Sequence, residues 1–238
     1  LTAIANDDFF ILKLDAGGNF VWAKRAANGF GRGIKIDSNG DIYSIGKYYG
    51  TVDFDPNAGV YNMISSGGSA DIFILKLTSS GNFLWAKSIG AAGHDIGEAL
   101  TIDASGNVYA TGVYIDMVDF DPGAGVFNVG SIGAQAMYVL KLTSSGNFAW
   151  VKSTNGGNAD GLSIAIDTSN NIYTTGSFQF TVDFDPGAGI FNMTNIGSYY
   201  NIFISKLDAS GNFVWAKKLG TLYWEAGRGI TTDVSGNV

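Results

Sequence analysis

Residues 51–63 are TVDFDPNAGVYNM, and two near-copies follow, MVDFDPGAGVFNV at 117–129 and TVDFDPGAGIFNM at 181–193. In each copy, Val-Asp-Phe-Asp alternates apolar and polar residues, which is typical of a strand with one buried face. Asp-Pro-Gly or Asp-Pro-Asn then interrupts the strand, because proline fixes φ and glycine or asparagine tolerates a turn. A second short apolar segment comes next. The stretch therefore predicts a small β-hairpin that occurs three times.

The hairpin belongs to a longer repeat that runs through the chain. Four tryptophans recur at intervals of 63 to 65 residues, and four lysines recur with the same spacing. These residues are Trp22, Trp85, Trp150 and Trp215, and Lys13, Lys76, Lys141 and Lys206. The period of about 65 residues predicts one domain over 1–238 that is built from repeats. The repeats are a half-repeat at about 7–30, complete repeats at 31–95, 96–159 and 160–224, and a half-repeat at 225–238.

Each complete repeat contains four strand candidates. In the first they lie at 32–37, 41–46, 71–77 and 82–88, with the hairpin inserted at 47–69 between the second and third. Copies of the first strand are expected at 98–103, 162–167 and 228–233, and of the second at 107–112 and 171–176. Copies of the third are expected at 9–14, 136–142 and 201–207, and of the fourth at 19–25, 147–153 and 212–218. Asp-, Asn- and Gly-rich turns join strands one to two and three to four.

The third strand is apolar on both faces. In its FILKL core, Phe73 and Leu75 point to one side, while Ile74 and Lys76 point to the other. A sheet that is buried on both faces and repeated along the sequence predicts stacked four-stranded sheets. The predicted fold is therefore all-β, either a β-propeller of four-stranded antiparallel blades or a related open stack.

The repeat also resembles a known family. The motifs GNVYATG, DIFILKLTSSGNFLWAKSIG and GEALTIDASGNVYATG are similar to the SBBP-type bacterial β-propeller repeat, in the long-blade version that carries the VDFDPGAG insertion. The resemblance extends over essentially all of residues 7–238. It implies a propeller fold and a place in a secreted or cell-surface protein, usually as one module of a larger chain. It does not imply a specific activity.

Propeller geometry gives each predicted strand a place. The first strand would be innermost, and the fourth, which carries the tryptophan, would be outermost. The short turns would share one rim, and the hairpins and variable loops would gather on the opposite face. The two half-repeats could close a four-bladed ring, belong to a longer chain, or pair with neighbouring molecules.

Composition excludes several classes of function. The chain has 238 residues, 46% of them hydrophobic and 15% charged, which is too apolar for a disordered protein. Its net charge of −7 argues against binding to nucleic acid or to an anionic membrane surface. No apolar run approaches the roughly 18 residues of a membrane span, and no signal peptide opens the sequence. With no cysteine, disulfide and thiolate chemistry are excluded, but secretion is not.

The hairpins contain the candidate metal ligands. They are three aspartate pairs: Asp53 and Asp55, Asp119 and Asp121, and Asp183 and Asp185. Alternation places both carboxylates of a pair on one face of the strand, where they could bind calcium, which prefers oxygen ligands. The favoured alternative is that the second aspartate sets the Asp-Pro turn by accepting backbone N–H groups. The short turns at Asp37 and Asp103 resemble calcium loops only faintly, and a hairpin turn explains them.

Other chemistry-bearing residues occur singly or as packing positions. His94, the only histidine, lies near Asp95 and Glu98 and could form a His–acid pair, but no nucleophile motif accompanies it. Each WAK tryptophan has the same place in its repeat, which favours packing between sheets with lysine protecting an outer edge. Tyr223 and Trp224 occur once, in a variable loop, and are candidates for contact with a protein or glycan.

Three functions follow as hypotheses. The first is a non-enzymatic extracellular or cell-surface module, structural or adhesive, that presents its hairpins on one face to a protein or glycan. The second is a self-assembling subunit of a filament or surface layer, completed by blades from neighbouring molecules. The third is a metal-dependent polysaccharide hydrolase or lyase. The only cofactor that the sequence suggests is calcium, and no catalytic residue is assigned.

Overall fold

The computed structural model describes residues 7–26, 28–131 and 134–238. In this part of the chain all regular structure is β-strand except for one 3-10 turn at Ser66–Gly68. The first ten strands are β1 Phe9–Leu14, β2 Phe20–Ala26, β3 Gly29–Ile36, β4 Ile42–Tyr48, β5 Thr51–Asp53, β6 Asn62–Ile64, β7 Asp71–Leu77, β8 Phe83–Ile89, β9 Ile96–Ile102 and β10 Val108–Tyr114. The others are β11 Met117–Asp119, β12 Asn128–Gly130, β13 Ala136–Leu142, β14 Phe148–Ser153, β15 Asn155–Ile166, β16 Ile172–Asp183, β17 Asn192–Thr194, β18 Asn201–Leu207 and β19 Phe213–Leu219.

The strands form antiparallel sheets in simple up-and-down order. Sheet 1 consists of β1 and β2, and sheet 2 has the order β3-β4-β7-β8. Sheet 3 has the order β9-β10-β13-β14, and sheet 4 has the order β15-β16-β18-β19. Each complete repeat thus folds into one sheet whose four long strands follow their sequence order. The prediction of an all-β protein with antiparallel sheets is confirmed.

The three hairpins form where they are predicted. Strand β5 pairs with β6, with Val52 opposite Met63, and β11 pairs with β12, with Val118 opposite Val129. In sheet 4 the second strand does not break before the hairpin. Strand β16 continues to Asp183 and pairs with β17. In sheet 4 the hairpin is therefore an extension of the second strand, whereas the other two hairpins form separate two-stranded sheets directly after β4 and β10.

The strand predicted at 228–233 is wrong. Residues 225–238 have no strand structure, although they lie against sheet 4. The Gly227 N–H donates to the Gly176 carbonyl (3.0 Å), and the Thr232 hydroxyl donates to the Ile166 carbonyl (3.0 Å). A strand needs a second strand to accept its ladder of hydrogen bonds. No partner strand for this segment exists among the described residues.

The core lies between neighbouring sheets. Phe73 and Leu75 of sheet 2 pack against Phe9 and Ile11 of sheet 1. Ile72 and Ile74, on the other face of the same strand, belong to the cluster shared with Leu140 and Leu142 of sheet 3. The third strand is therefore buried on both faces, as its apolar sequence predicts. Sheets 2 and 3 are thus stabilised by apolar burial on two sides, whereas Ile202 and Ile204 on the outer face of β18 in sheet 4 are only half-buried.

The tryptophans connect each sheet to the next. The Trp85 indole N–H donates to the Ser144 carbonyl in the short turn of sheet 3 (3.3 Å). The same ring and the Lys87 methylene groups lie against Gly146 of that turn. Equivalent contacts join Trp22 and Lys24 to Gly81, and Trp150 and Lys152 to Gly211. The prediction that the tryptophans pack between sheets is confirmed for Trp22, Trp85 and Trp150, and for Trp215 it stays a prediction.

The recurring lysines of strand three have a structural role. The Lys76 ammonium lies 4.7 Å from the centre of the Tyr43 ring and 3.3 Å from an Asp41 oxygen. The Tyr43 hydroxyl donates to Asp37 in the adjacent short turn (3.3 Å). Sheets 3 and 4 repeat the lysine–tyrosine contact and the tyrosine–aspartate hydrogen bond with Lys141, Tyr109 and Asp103, and with Lys206, Tyr173 and Asp167.

Candidate functional site

The first aspartate of each hairpin pair joins the two hairpin strands. Asp119 Oδ1 accepts the N–H of Asp121 (3.0 Å) and the N–H of Phe127 (2.8 Å). Asp53 and Asp183 make the same two bonds in the other hairpins, at 3.0 and 2.7 Å and at 3.0 and 2.8 Å. A carboxylate that accepts several backbone N–H groups stabilises a turn without a metal. The turn-setting alternative gave this role to the second aspartate, but these bonds are made by the first.

The second aspartate shapes the tip of the hairpin. Asp121 Oδ1 accepts the Gly123 N–H (2.8 Å), and its other oxygen lies against Gly125. A Cβ atom at Gly125 would come within 2.2 Å of that oxygen. Gly59 and Gly189 have the same relation to Asp55 and Asp185. The carboxylate leaves no room for a Cβ atom at the last residue of each GAG or NAG sequence, which explains the glycine there.

The calcium prediction for these six aspartates stays a prediction. In the described ranges, no group of three or more His, Cys, Asp or Glu side chains is arranged to hold a metal ion. Calcium takes six to eight oxygen ligands, so two carboxylates would need several backbone carbonyls or waters to complete a site. The hydrogen-bonded turn needs none of them.

Variants of one aspartate distinguish the two interpretations. We expect Asp119→Ala to lower the free energy of unfolding by about 1–3 kcal/mol, because two backbone N–H groups lose their acceptor. Asp119→Asn should cost much less, since its amide oxygen can accept the same bonds. Urea unfolding measures both. Equal losses for the two variants, together with a melting temperature that falls on addition of EDTA, would instead support a bound calcium ion.

The hairpins lie between the sheets and do not project from one face. The side chains of Val118 and Phe120 are fully buried in the cluster shared by sheets 2 and 3. Phe54 lies between sheets 1 and 2, and Phe184 lies between sheets 3 and 4. Each hairpin therefore fills the gap between its own sheet and the preceding one.

The tips of the hairpins lie near the short turns. The Asn57 side chain donates to the Gly81 carbonyl in the turn between β7 and β8 (3.4 Å). The Tyr61 ring lies 4.8 Å from the ring of Phe83, the first residue of β8. The expectation that the hairpins gather with the variable loops on one face is therefore wrong. The Val and Phe side chains of each Val-x-Phe segment are buried between the sheets. The hairpin therefore runs along its sheet toward the rim that carries the short turns.

One residue at each tip is apolar and exposed. Val60, Val126 and Ile190 are exposed to 73, 72 and 76%. The aromatic residue that follows each of them packs against the phenylalanine that begins strand four of its sheet, with tilted rings whose centres are 4.8 to 4.9 Å apart. The tips are thus anchored while their aliphatic side chains face solvent. Sequence reasoning missed these three residues, although an aliphatic residue repeated at a turn was a signal for them.

Tyr223 and Trp224 lie in the exposed loop that follows β19. The Arg228 guanidinium is 5.9 Å from the centre of the Trp224 ring, a cation–π arrangement. Strand direction places this loop at the end of sheet 4 that is opposite its short turns. The structure therefore does not bring these two aromatics together with the hairpin tips.

His94 occupies the equivalent loop after β8. Its exposed ring makes an edge contact with Tyr49, with centres 6.3 Å apart. The neighbouring Asp95 is buried, and its two oxygens accept the N–H groups of Ala91 and Ile115. Glu98 lies in β9, 3.9 Å from Arg32. Burial raises the pKa of Glu98, although nearby cations, including Arg32, oppose the shift. The predicted pairing of His94 with an acid is not part of this arrangement.

Comparison with known proteins shows a similarity to a viral protein. No protein-family model matches the sequence. An uncharacterized WD repeat-containing protein of Acanthamoeba polyphaga mimivirus is 25% identical over 190 residues, and the match covers 68% of this chain. The chain spans only 13% of the length of that relative. In the described residues, no helix is long and apolar enough to cross a membrane.

Proposed function

We propose that this chain is a non-enzymatic, extracellular or bacterial cell-surface module made of SBBP-type β-propeller blades. It contacts a protein or glycan through its hairpin tips and has a structural or adhesive role. The observation that carries the proposal is the exposed aliphatic residue at the same place in all three hairpins, Val60, Val126 and Ile190.

Three features support the propeller. Each complete repeat forms one four-stranded sheet in sequence order, which is how propeller blades are built. Neighbouring sheets pack face to face through apolar clusters. The similar viral protein is named for WD repeats, which are four-stranded propeller blades.

Repetition of the tips suits multivalent contact. A single exposed valine contributes little to binding, but three equivalent side chains on anchored hairpins can engage a repetitive partner simultaneously. The hydrogen bonds from the backbone to Asp119 and to its equivalents hold each tip in place. An anchored tip loses little conformational entropy on binding. A polysaccharide or a repetitive protein surface is the partner class that fits this geometry.

The test is a triple variant, Val60→Ser, Val126→Ser and Ile190→Ser. Binding would be measured by biolayer interferometry to immobilised xylan, alginate and dextran and to a bacterial cell-wall extract. We expect the variant to lose at least tenfold in affinity for whichever surface the natural sequence binds. Its melting temperature should change little, because these side chains are exposed.

A matched control removes apolar surface elsewhere. Leu84→Ser with Val214→Ser changes exposed residues on strand four of sheets 2 and 4. This variant should bind as the natural sequence does. Equal binding by the triple variant and the natural sequence would contradict the proposed role of the tips. Turnover of any of these polysaccharides, abolished by chelation, would favour the hydrolase alternative.

A second candidate function is self-association, and one observation favours it. Phe10 of sheet 1 is 65% exposed, whereas the equivalent Phe73 of sheet 2 is 0% exposed. Leu12 and Leu14 on the same face are also exposed, although Leu75 and Leu77 are buried. In sheet 2 this face packs against the neighbouring sheet. A second copy that docked on sheet 1 would bury it in the same way.

Sedimentation velocity from 1 to 200 μM tests this second candidate. We expect concentration-dependent association that Leu12→Glu removes, because a buried unpaired charge opposes docking. A single monomeric species at every concentration would contradict self-association. It would leave the adhesive proposal unaffected, since the hairpin tips are remote in sequence from Leu12.

A further inference from the structure

Sheets 2 and 4 have the same arrangement of loops at one end but differ in the side chain that begins their third strand. Asp71 begins β7, and Asn201 begins β18 at the equivalent position. The loops that follow strand four have equal length and begin at Gly90 and Gly220. They end in acids, Asp95 and Glu225. The two sheets can therefore be compared atom by atom.

In sheet 4 the asparagine amide completes a hydrogen-bond network. Asn201 Oδ1 accepts the Ile196 N–H (2.6 Å). Asn201 Nδ2 donates to the Thr221 carbonyl (3.1 Å) and to Glu225 Oε2 (3.0 Å). Glu225 in turn accepts the Thr221 N–H (3.0 Å). A donor is therefore required at the position of Nδ2.

In sheet 2 the same arrangement of loops surrounds a carboxyl group in place of the amide. Asp71 Oδ2 accepts the Ser66 N–H (3.0 Å), and Asp95 Oδ2 accepts the Ala91 N–H (2.8 Å). Asp71 Oδ1 takes the place of the amide nitrogen. A Cβ atom at Gly90 would be 2.6 Å from this oxygen, and a Cβ at Gly220 would be 2.5 Å from Asn201 Nδ2.

That oxygen is buried and has no hydrogen-bond partner. The Asp71 residue is only 1% exposed. An ionised carboxylate has no hydrogen to donate, so it cannot replace the amide. A buried polar atom without a partner is costly, and the electrostatic interaction of Asp71 with Asp95 is repulsive when both are ionised. One proton on Asp71 Oδ1 supplies the missing donor.

We propose that Asp71 and Asp95 form a buried acid pair that takes up one proton from solvent and shares it. The proton resides on Asp71 Oδ1 and is donated toward the Asp95 carboxylate, as the Asn201 amide is toward Glu225. No bond other than the O–H bond forms, and the net charge of the pair changes from −2 to −1.

The surroundings of the pair support proton uptake. Burial raises the pKa of Asp71, and burial also raises the pKa of Asp95 to about 6, with the Asp71 charge adding to the shift. The backbone N–H groups of Ala91 and Ile115 and the charge of His94 oppose the shift at Asp95. Three tyrosines also interact with the pair, namely Tyr48, Tyr114 and Tyr138, and burial raises the pKa of each of them, so that all stay neutral.

The pair joins three connections between sheets 2 and 3. Asp71 accepts the N–H of Ser66, which lies in the segment between the first hairpin and β7. Asp95 holds Ala91 in its own loop and Ile115 at the start of the second hairpin (3.2 Å). Loss of the proton removes the proposed hydrogen bond between the two carboxyl groups and adds repulsion between them at the point where these three connections meet. The pair makes the interface sensitive to pH.

The direction of the pH effect follows from the raised pKa. The folded chain binds the proton more tightly than the unfolded chain, whose aspartates titrate near pH 4. The stabilisation is complete below about pH 4 and is lost as the pH rises through about 6, the pKa of Asp95. Between pH 5 and 8 the melting temperature should therefore fall.

Two reciprocal variants test the inference. Asp71→Asn places an amide in sheet 2, as in sheet 4, and should raise the melting temperature at pH 8 by about 3 °C. The same variant should also reduce the fall in melting temperature between pH 5 and 8. Asn201→Asp creates the acid pair in sheet 4 and should lower the melting temperature at pH 8 more than at pH 5. Differential scanning calorimetry at constant ionic strength measures both.

Carboxyl carbon NMR provides an independent measurement. In the natural sequence an aspartate carboxyl should titrate near pH 6, and Asp71→Asn should shift this titration at least one unit lower. Absence of any carboxyl titration above pH 5 would overturn the inference, and so would a lower melting temperature for Asp71→Asn at pH 8. A rise in melting temperature when 1 mM calcium is added at pH 8, if absent in Asp71→Asn, would overturn the inference and indicate a bound cation instead.

Discussion

Replacing Phe120 with alanine is expected to lower the free energy of unfolding by about 3–5 kcal/mol. The side chain is fully buried. Its ring centre lies 5.2 Å from that of Tyr114 and 5.2 Å from that of Tyr138. Truncation would leave a cavity between sheets 2 and 3 and would detach the hairpin from its gap. Urea unfolding followed by tryptophan fluorescence measures the loss.

Val126→Ala is the matched control on the same hairpin. Its side chain faces solvent, so the free energy of unfolding should change by no more than about 0.5 kcal/mol. If Phe120→Ala cost no more than this control, the hairpin would not fill the gap between the sheets. Phe54→Ala and Phe184→Ala should resemble Phe120→Ala, since both rings occupy equivalent gaps.

Gly112→Ala is also expected to damage the fold strongly. A Cβ atom at Gly112 would lie 1.9 Å from the backbone carbonyl oxygen of Ile96 in the neighbouring strand. The pairing of β9 and β10 shifts register between Thr111 and Gly112, so the backbones approach closely there. Relief requires the strands to separate, at a cost of about 3 kcal/mol or more, the upper end for overpacking.

Gly229→Ala is the control for Gly112→Ala. No atom lies within 4 Å of a Cβ built at Gly229, and its φ is not positive. The change should be neutral or should stabilise the fold by up to about 1 kcal/mol, because alanine restricts the unfolded chain. Thermal melts of the two variants should separate clearly. If Gly112→Ala melted as the natural sequence does, the close approach of β9 and β10 would be contradicted.

Much of the fold could be predicted from local patterns. The Val-Asp-Phe-Asp alternation and the Asp-Pro turn are sufficient to predict a hairpin, since both are local properties of the chain. Equal spacing of Trp85 and Trp150 predicts equivalent packing sites. The strand predicted at 228–233 failed because a strand also requires a partner, and an apolar pattern contains no information about one.

The site was harder to predict because it depends on packing between repeats. Sequence alternation places Phe54 on the buried side of a strand, but it does not say which gap the ring enters. Because the gap leads toward the short turns, the tip lies near Gly81, far from the variable loops. Asp71 gave no signal when considered alone. Only its alignment with Asn201 shows that it is an acid at a position that requires a hydrogen-bond donor.

The contact between each tryptophan and the glycine of the next short turn determines how such an array can change in length. Trp22, Trp85 and Trp150 meet Gly81, Gly146 and Gly211 in the same way, so every interface is a nearest-neighbour interface of one kind. Stability then grows by a constant increment with each repeat. Duplication of a gene segment of about 65 codons would add a sheet that meets its neighbour through the same tryptophan–glycine contact.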